Sequence, residues 1–176
     1  MLQGTSVLIT RTKSGLVLWA LAAMLAPQTV LATGQQTFSA QCSMCHQKSG
    51  AGLPGQFPRI AGRVPQIAAT AEGRRFLALV LINGLYGPIT VDGRAINGLM
   101  PAAGSLSDQA VADVLNHTMS LPGTLTGTLS GSPPGRAKKV APFTAAEIAA
   151  ARAVGRKSGN ELAAERSRLV AAKLIP

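Results

Sequence analysis

The segment Cys42-Ser43-Met44-Cys45-His46 constrains this chain more than any other feature of its sequence. Two thiols three residues apart, followed at once by an imidazole, form the C-x-x-C-H pattern of covalent haem attachment. The spacing lets both sulfurs reach the two vinyl-derived carbons along one edge of a porphyrin, and the histidine then falls beneath the iron. The pattern therefore predicts one haem c, bound through Cys42 and Cys45, with His46 as the proximal iron ligand.

A C-x-x-C pair also occurs in zinc sites and in redox dithiols. The chain holds only two cysteines, and His117 is its only other histidine, so no second pair of zinc ligands is available. A thioredoxin-like dithiol usually follows a strand, whereas a short Gly/Gln/Ser-rich segment precedes Cys42. A redox dithiol stays as the minor alternative to haem.

Residues 1–32 have the pattern of a secretory signal peptide. Arg11 and Lys13 form a basic start, 16–26 is an apolar run, and small residues follow at 30–32. An apolar run of about 11 residues is short for a transmembrane helix, which needs ~20. We therefore expect export to the bacterial periplasm, where the cysteines would be consumed as thioethers and not as a disulfide. An uncleaved membrane anchor is the alternative.

Most of the basic excess lies toward the C-terminal end. Of the formal net charge of +10, residues 33–135 carry six basic and four acidic side chains, and residues 136–176 carry nine and three. Export and the lack of interleaved basic and aromatic residues argue against a nucleic-acid partner. An acidic redox partner or an anionic membrane surface fits this charge better, and a solvated helix face is the alternative.

The apolar periodicity predicts an all-α fold, with short helices and long loops around one haem. Residues 50–62 are too rich in Gly and Pro for a helix, and 86–104 is predicted to be loop, with a small hairpin at Ile89 to Ile96. Helices are expected over 34–40, 65–71, 73–83 and, capped by Ser107, from 108 to about 120, the last burying Val111, Val114, Leu115 and Thr118.

The chain divides into a haem domain at 33–122, a linker at 123–142 and a basic helical C-terminal extension at 143–176. The linker consists largely of Gly, Thr, Ser, Pro and Lys. Thr144 and Glu147 form a T-x-x-E capping box that predicts the start of the extension's first helix.

The distal iron ligand decides the chemistry, because a six-coordinate haem mostly exchanges electrons and a five-coordinate one binds small molecules. Met44 lies inside the attachment segment and cannot cross the porphyrin. Met100 lies in a turn-rich segment where no regular structure is expected, and Pro101 restricts it to extended conformations. Met100 is therefore the preferred distal ligand, with His117 or an open site as alternatives.

Four further residues have predicted roles near the haem. The carbonyl of Pro58 can accept the N–H of the proximal imidazole and fix its tautomer. Arg59 and Arg63 either pair with haem propionates or are plain surface arginines. His117 is expected to pack toward Phe38 on the first helix.

The order of several motifs resembles the class I cytochrome c family. Gly34 and Phe38 precede CSMCH, and FPRIAG, NGLMP and LSDQAVADVL follow. Among its members the chain is most similar to small bacterial periplasmic cytochromes associated with quinoprotein-type dehydrogenases or terminal oxidases. The resemblance implies thioethers at Cys42 and Cys45 and iron ligation by His46 and Met100. The chain departs from the family pattern at His117, where relatives commonly have an aromatic residue.

Two functions follow from this interpretation. The first is a non-enzymatic one-electron carrier, passing electrons from a periplasmic dehydrogenase to an acceptor such as a terminal oxidase by Fe(III)/Fe(II) cycling. The alternative is a haem-based enzyme or gas sensor with an open or displaceable distal site. A permanently docked haem subunit, with residues 136–176 as its docking arm, would differ from the carrier only in partnership.

Overall fold

The computed structural model describes residues 33–123 and 140–176, and within them it contains seven helices and one hairpin. The predicted signal peptide and nearly all of the predicted linker lie outside these residues. Among the residues described, no helix is both long and apolar enough to cross a membrane. The elements are α1 (Gly34–Gln41), α2 (Ser43–His46), α3 (Val64–Ile67), α4 (Ala71–Asn83), β1 (Leu85–Val91), β2 (Arg94–Met100), α5 (Asp108–Ser120), α6 (Ala145–Ala153) and α7 (Gly159–Ala171).

Side-chain caps fix where the longer helices begin. The hydroxyl of Ser107 accepts the N–H of Ala110 at the start of α5, as predicted. Thr144 and Glu147 form the predicted capping box at the start of α6. A second capping box, formed by Ser158 and Glu161, starts α7 after the break between the two helices. Residues within one turn of each other therefore define where these helices begin.

The main core is shared by α4, α5, α6 and α7. The predicted buried face of α5 is confirmed. The two C-terminal helices contribute Ile148, Leu162 and Leu169, each at most 2% exposed. These side chains belong to the same apolar cluster as Phe76 on α4. The segment predicted as an extension thus completes the core of the haem domain and does not stand apart from it.

A close crossing of α1 and α5 sets the position of the first helix. A Cβ on Gly34 would collide with the backbone of Asp113, so only glycine allows this approach. One turn further along α1, the buried ring of Phe38 lies against His117, which confirms the predicted packing role of that histidine.

The hairpin is longer than the sequence suggested. β1 and β2 pair in antiparallel register from Leu85↔Met100 to Val91↔Arg94, and Asp92 and Gly93 form a two-residue turn with positive φ at both positions. The expectation that Met100 lies in a segment without regular structure is therefore wrong, because Met100 is the last residue of β2. Gly87, Pro88 and Gly98 had hidden this strand pattern, since these residues have low β-propensity.

Candidate haem site

Cys42 joins α1 to α2, and Cys45 lies within the single turn of α2. The amide of Cys42 bonds the carbonyl of Phe38 at 2.9 Å, and its own carbonyl accepts the amides of Cys45 and His46 at 3.2 and 3.0 Å. Both cysteine side chains are half-buried, whereas Met44 between them is 92% exposed. The turn thus carries two thiols and directs the following imidazole inward.

The electrostatics at Cys42 do not match a reactive dithiol. Burial, and then the neighbouring Cys45, raise the pKa of the Cys42 thiol above its usual value. Redox-active C-x-x-C pairs depend on a lowered thiol pKa. The shift at Cys42 is thus opposite in direction to the one that a reactive dithiol needs.

His46 is buried and oriented by a backbone carbonyl. Its Nδ1 lies 3.0 Å from the carbonyl oxygen of Pro58, which confirms the contact predicted from the sequence. With Nδ1–H donating to that oxygen, Nε2 is left to bind a metal. Burial lowers the pKa of His46, and the bond to Pro58 opposes this shift only in part. The imidazole is thus held in the neutral form that ligates iron.

The loop after His46 brings Pro58 back to the ring. The amide of Gly52 bonds the carbonyl of His46 at 3.0 Å, and the carbonyl of Gly50 accepts the amides of Ile60 and Ala61 at 2.9 and 3.0 Å. These bonds close the Gly- and Pro-rich segment into a compact loop without helix, as predicted. This loop places the carbonyl of Pro58 beside the imidazole of His46.

Met100 is brought to this part of the molecule by the hairpin. It is partly buried and packs against the main core. Two residues earlier on β2, a Cβ on Gly98 would lie 3.9 Å from the carbonyl oxygen of Gln56 in the loop after His46. The strand carrying Met100 and the loop carrying Pro58 are therefore neighbours.

Arg59 and Arg63 converge on Asp92, at the turn of the hairpin. Arg59 binds both carboxylate oxygens of Asp92 at 2.9 Å, and Nη1 of Arg63 lies 3.1 Å from one of them. Hydrogen bonding from Arg59 is the largest cause that lowers the pKa of Asp92. From the sequence, these arginines were expected to pair with propionates or to lie exposed on the surface, and Asp92 was missed. Its only signal was an Asp-Gly turn, which does not reveal a partner about thirty positions away.

The arrangement fits a covalent haem. Two thiols and an imidazole with an available Nε2 project from one turn, which is the donor set that haem attachment and proximal ligation require. The sequence and its relatives agree with this chemistry. Residues 31–122 match the family model described as cytochrome c. The chain belongs to the cytochrome c family.

Two curated relatives are both named cytochrome c-552, one from Thermus thermophilus and the other from a specified strain of the same species. Each is 40% identical over 130 residues, which cover 74% of this chain and 92% and 81% of the relatives. The similarity is thus longer than the segment matched by the cytochrome c family model. As a member of that family, this chain is a haem electron carrier that binds covalently attached haem c with its iron.

Proposed function

We propose that this cytochrome carries single electrons in the periplasm, from a dehydrogenase to an acceptor such as a terminal oxidase. Cys42 and Cys45 attach the haem, His46 is the proximal ligand and Met100 is the distal ligand. One observation carries this proposal: the buried imidazole of His46 follows the two thiols on one turn and donates through Nδ1 to Pro58. That contact orients the imidazole and leaves Nε2 to bind a metal.

The chain's residues supply ligands, orientation and shielding. The Pro58 carbonyl fixes the tautomer and the plane of His46. A thioether from Met100 would favour the ferrous state and raise the reduction potential. The bound haem supplies the one-electron chemistry, by cycling its iron between the ferric and ferrous states. Ligation by both His46 and Met100 would leave no open site for small molecules and would favour electron exchange.

The location and partners rest on sequence features. The signal-like residues 1–32 support export to the periplasm. The basic excess of residues 136–176 supports contact with an acidic redox partner or an anionic membrane surface. The docking-arm alternative loses support for the described part of that segment, because α6 and α7 bury their apolar faces in this chain's own core.

The haem-enzyme or gas-sensor alternative needs an open distal site with a base near it. His117, the second histidine of the chain, would be the natural base, but its ring centroid lies 5.1 Å from that of Phe38, between α1 and α5. No observation on the described residues therefore favours that alternative.

The test is a set of oxidised, reduced and carbon-monoxide spectra of the protein matured in a periplasm. A low-spin haem with a methionine–iron charge-transfer band, lost in Met100→Ala and indifferent to carbon monoxide, is expected. Met44→Ala and Met119→Ala are matched controls that should keep the band, since Met44 is exposed and Met119 lies on α5. A high-spin haem that binds carbon monoxide readily in the unmodified protein would refute the carrier.

A further inference from the structure

The first residue of α7 lies directly against strand β1. A Cβ on Gly159 would lie 2.5 Å from the amide nitrogen of Tyr86, 2.7 Å from its Cβ and 3.0 Å from the carbonyl carbon of Leu85. Two of these neighbours are backbone atoms, which cannot rotate away. Glycine has a lower helix propensity than alanine, so helix formation alone does not explain a glycine as the first residue of α7. The close approach of α7 to β1 explains the glycine.

This contact falls at the end of the hairpin that carries Met100. Leu85 and Met100 are direct partners in the β1–β2 register, and Tyr86 pairs with Leu99. Hydrogen bonds join the two backbones at every second opposed pair, so the adjacent pairs Leu85–Met100 and Tyr86–Leu99 are held to one another by the ladder. A displacement of Leu85 by α7 is therefore transmitted to the backbone of Met100.

The contact between α7 and β1 continues along the whole strand. A Cβ on Gly87 would lie 3.4 Å from Oδ1 of Asn160 and 3.6 Å from the Cβ of Ala163. Further along, Nη2 of Arg166 donates to the carbonyl of Thr90 at 2.9 Å. These residues come from successive turns of one helix, so α7 lies along β1 as a continuous support.

An adjacent face of α7 is buried in the main core. Leu162 and Leu169 of α7 are at most 2% exposed and belong to the main core with α4. The helix cannot retreat from the strand without opening that core. Added volume at Gly159 must consequently displace the hairpin.

We propose that Gly159 is a positioning residue for the distal ligand: its missing side chain lets α7 seat β1 closely, and this seating sets where β2 holds Met100. The inference rests on the proposed function, since it takes Met100 as an iron ligand. It assigns α7 a part in iron coordination, although this helix lies outside the region matched by the family model.

The test compares Gly159→Ala with Gly155→Ala in the full-length haem protein. Gly155 has φ +90°, and a Cβ placed on it would have no other atom within 4 Å, so alanine there strains the α6–α7 connection without touching the hairpin. Three quantities are measured for each variant: the methionine charge-transfer band, the midpoint potential, and the affinity of the ferric protein for added imidazole. Thermal unfolding is recorded alongside.

Gly159→Ala is expected to weaken the band, lower the potential and raise imidazole affinity about tenfold, because a displaced methionine is more often off the iron. Gly155→Ala is expected to unfold at lower temperature while its band and imidazole affinity stay unchanged. Equal imidazole affinities in the two variants would overturn the inference, since Gly159 would then act through stability alone.

If Gly159→Ala yields no haem protein, Ala163→Val adds volume between α7 and the same strand, because the Cβ of Ala163 lies 3.6 Å from where a Cβ on Gly87 would be. A smaller change of the same sign supports the positioning role, and an unchanged band and imidazole affinity overturns it. The proposed function is judged separately, by whether the unmodified protein has a methionine band that Met100→Ala abolishes. Absence of that band refutes both, whereas its presence with no effect of the α7 variants refutes only the positioning role.

Discussion

The imidazole of His117 lies against the ring of Phe38, with centroids 5.1 Å apart and planes tilted by 53°. This pair joins α1 to α5 just ahead of the haem-attachment turn, since the carbonyl of Phe38 accepts the amide of Cys42. A histidine that could have been an iron ligand is thus occupied in holding the first helix in place.

His117→Ala should therefore reduce stability and leave the haem spectrum unchanged. We expect the free energy of unfolding to fall by about 1–2 kcal/mol, through loss of the ring contact and part of the packing around Phe38. His117→Phe should retain most of that stability. Denaturant unfolding of the haem protein measures the free energy of unfolding of both variants. A change in the axial-ligand spectrum of either variant would contradict this prediction and indicate that His117 ligates the iron.

The C-terminal helices should be as necessary to stability as the haem-domain helices. Leu169 on α7 is fully buried, and its neighbour Val170 is 37% exposed. Leu169→Ala should lower the free energy of unfolding by about 2–5 kcal/mol because it leaves a cavity in the core. Val170→Ala is the matched control and should cost well under about 1 kcal/mol. Similar values for the two would mean that α7 does not pack as described.

An ion pair between Arg74 and Glu147 should make stability depend on pH. Nε of Arg74 lies 2.7 Å from Oε1 of Glu147, and this bond is the main cause that lowers the pKa of Glu147 in the folded protein. A lowered folded-state pKa stabilises the protein above the unfolded pKa, and the benefit is lost as pH falls through the folded pKa. Because Glu147 is partly exposed, the gain should stay below about 1 kcal/mol.

The measurement is the difference in unfolding free energy between the unmodified protein and Glu147→Gln as a function of pH. Gln keeps the capping box at Thr144, so the difference reports the ion pair. It should be constant near neutral pH and shrink below the ordinary glutamate pKa of 4.5. Glu165→Gln removes an exposed i,i+3 pair with Arg168 and should change less. A difference that grows on acidification would contradict the assignment.

Covalent attachment should survive the loss of either cysteine alone. Cys42→Ala leaves Cys45 to form one thioether, so haem should remain with the chain on a denaturing gel, with its visible bands shifted toward longer wavelength by the unreacted vinyl group. The Cys42→Ala/Cys45→Ala chain should lose its haem on the same gel. Haem staining and intact mass measure both outcomes, and a stained double variant would rule out thioether attachment at these residues.

The features that could be predicted from sequence are those set by neighbouring residues. Ser107 and Thr144 cap helices through amides three residues on. Residues 42–46 form one turn in the same way, because the carbonyl of Cys42 accepts amides only three and four residues further on. The contact of Pro58 with His46 spans only twelve residues and belongs to one loop. Such short-range arrangements depend mainly on residue type and spacing.

The features that were missed depend on distant segments. β1 contains Gly87 and Pro88, which disfavour a strand, yet it forms because β2 pairs with one edge and α7 covers one face. Similarly, α7 has the composition of a solvated basic helix, and only its buried leucines reveal the core that it completes. The role of Asp92 could not be foreseen, because Arg59 and Arg63 reach it from about thirty residues away.

The hydroxyl of Thr70 donates to the carbonyl of Leu174, which closes a loop of 104 residues. Contacts between residues so distant in sequence slow folding, because a long loop must be closed before they can form. The hydrogen bonds within residues 42–46 need no such closure, whereas the packing of α7 against α4 and the hairpin does. Under the proposed ligation by Met100, the distal ligand would thus belong to the part of the fold that depends on long-range contacts.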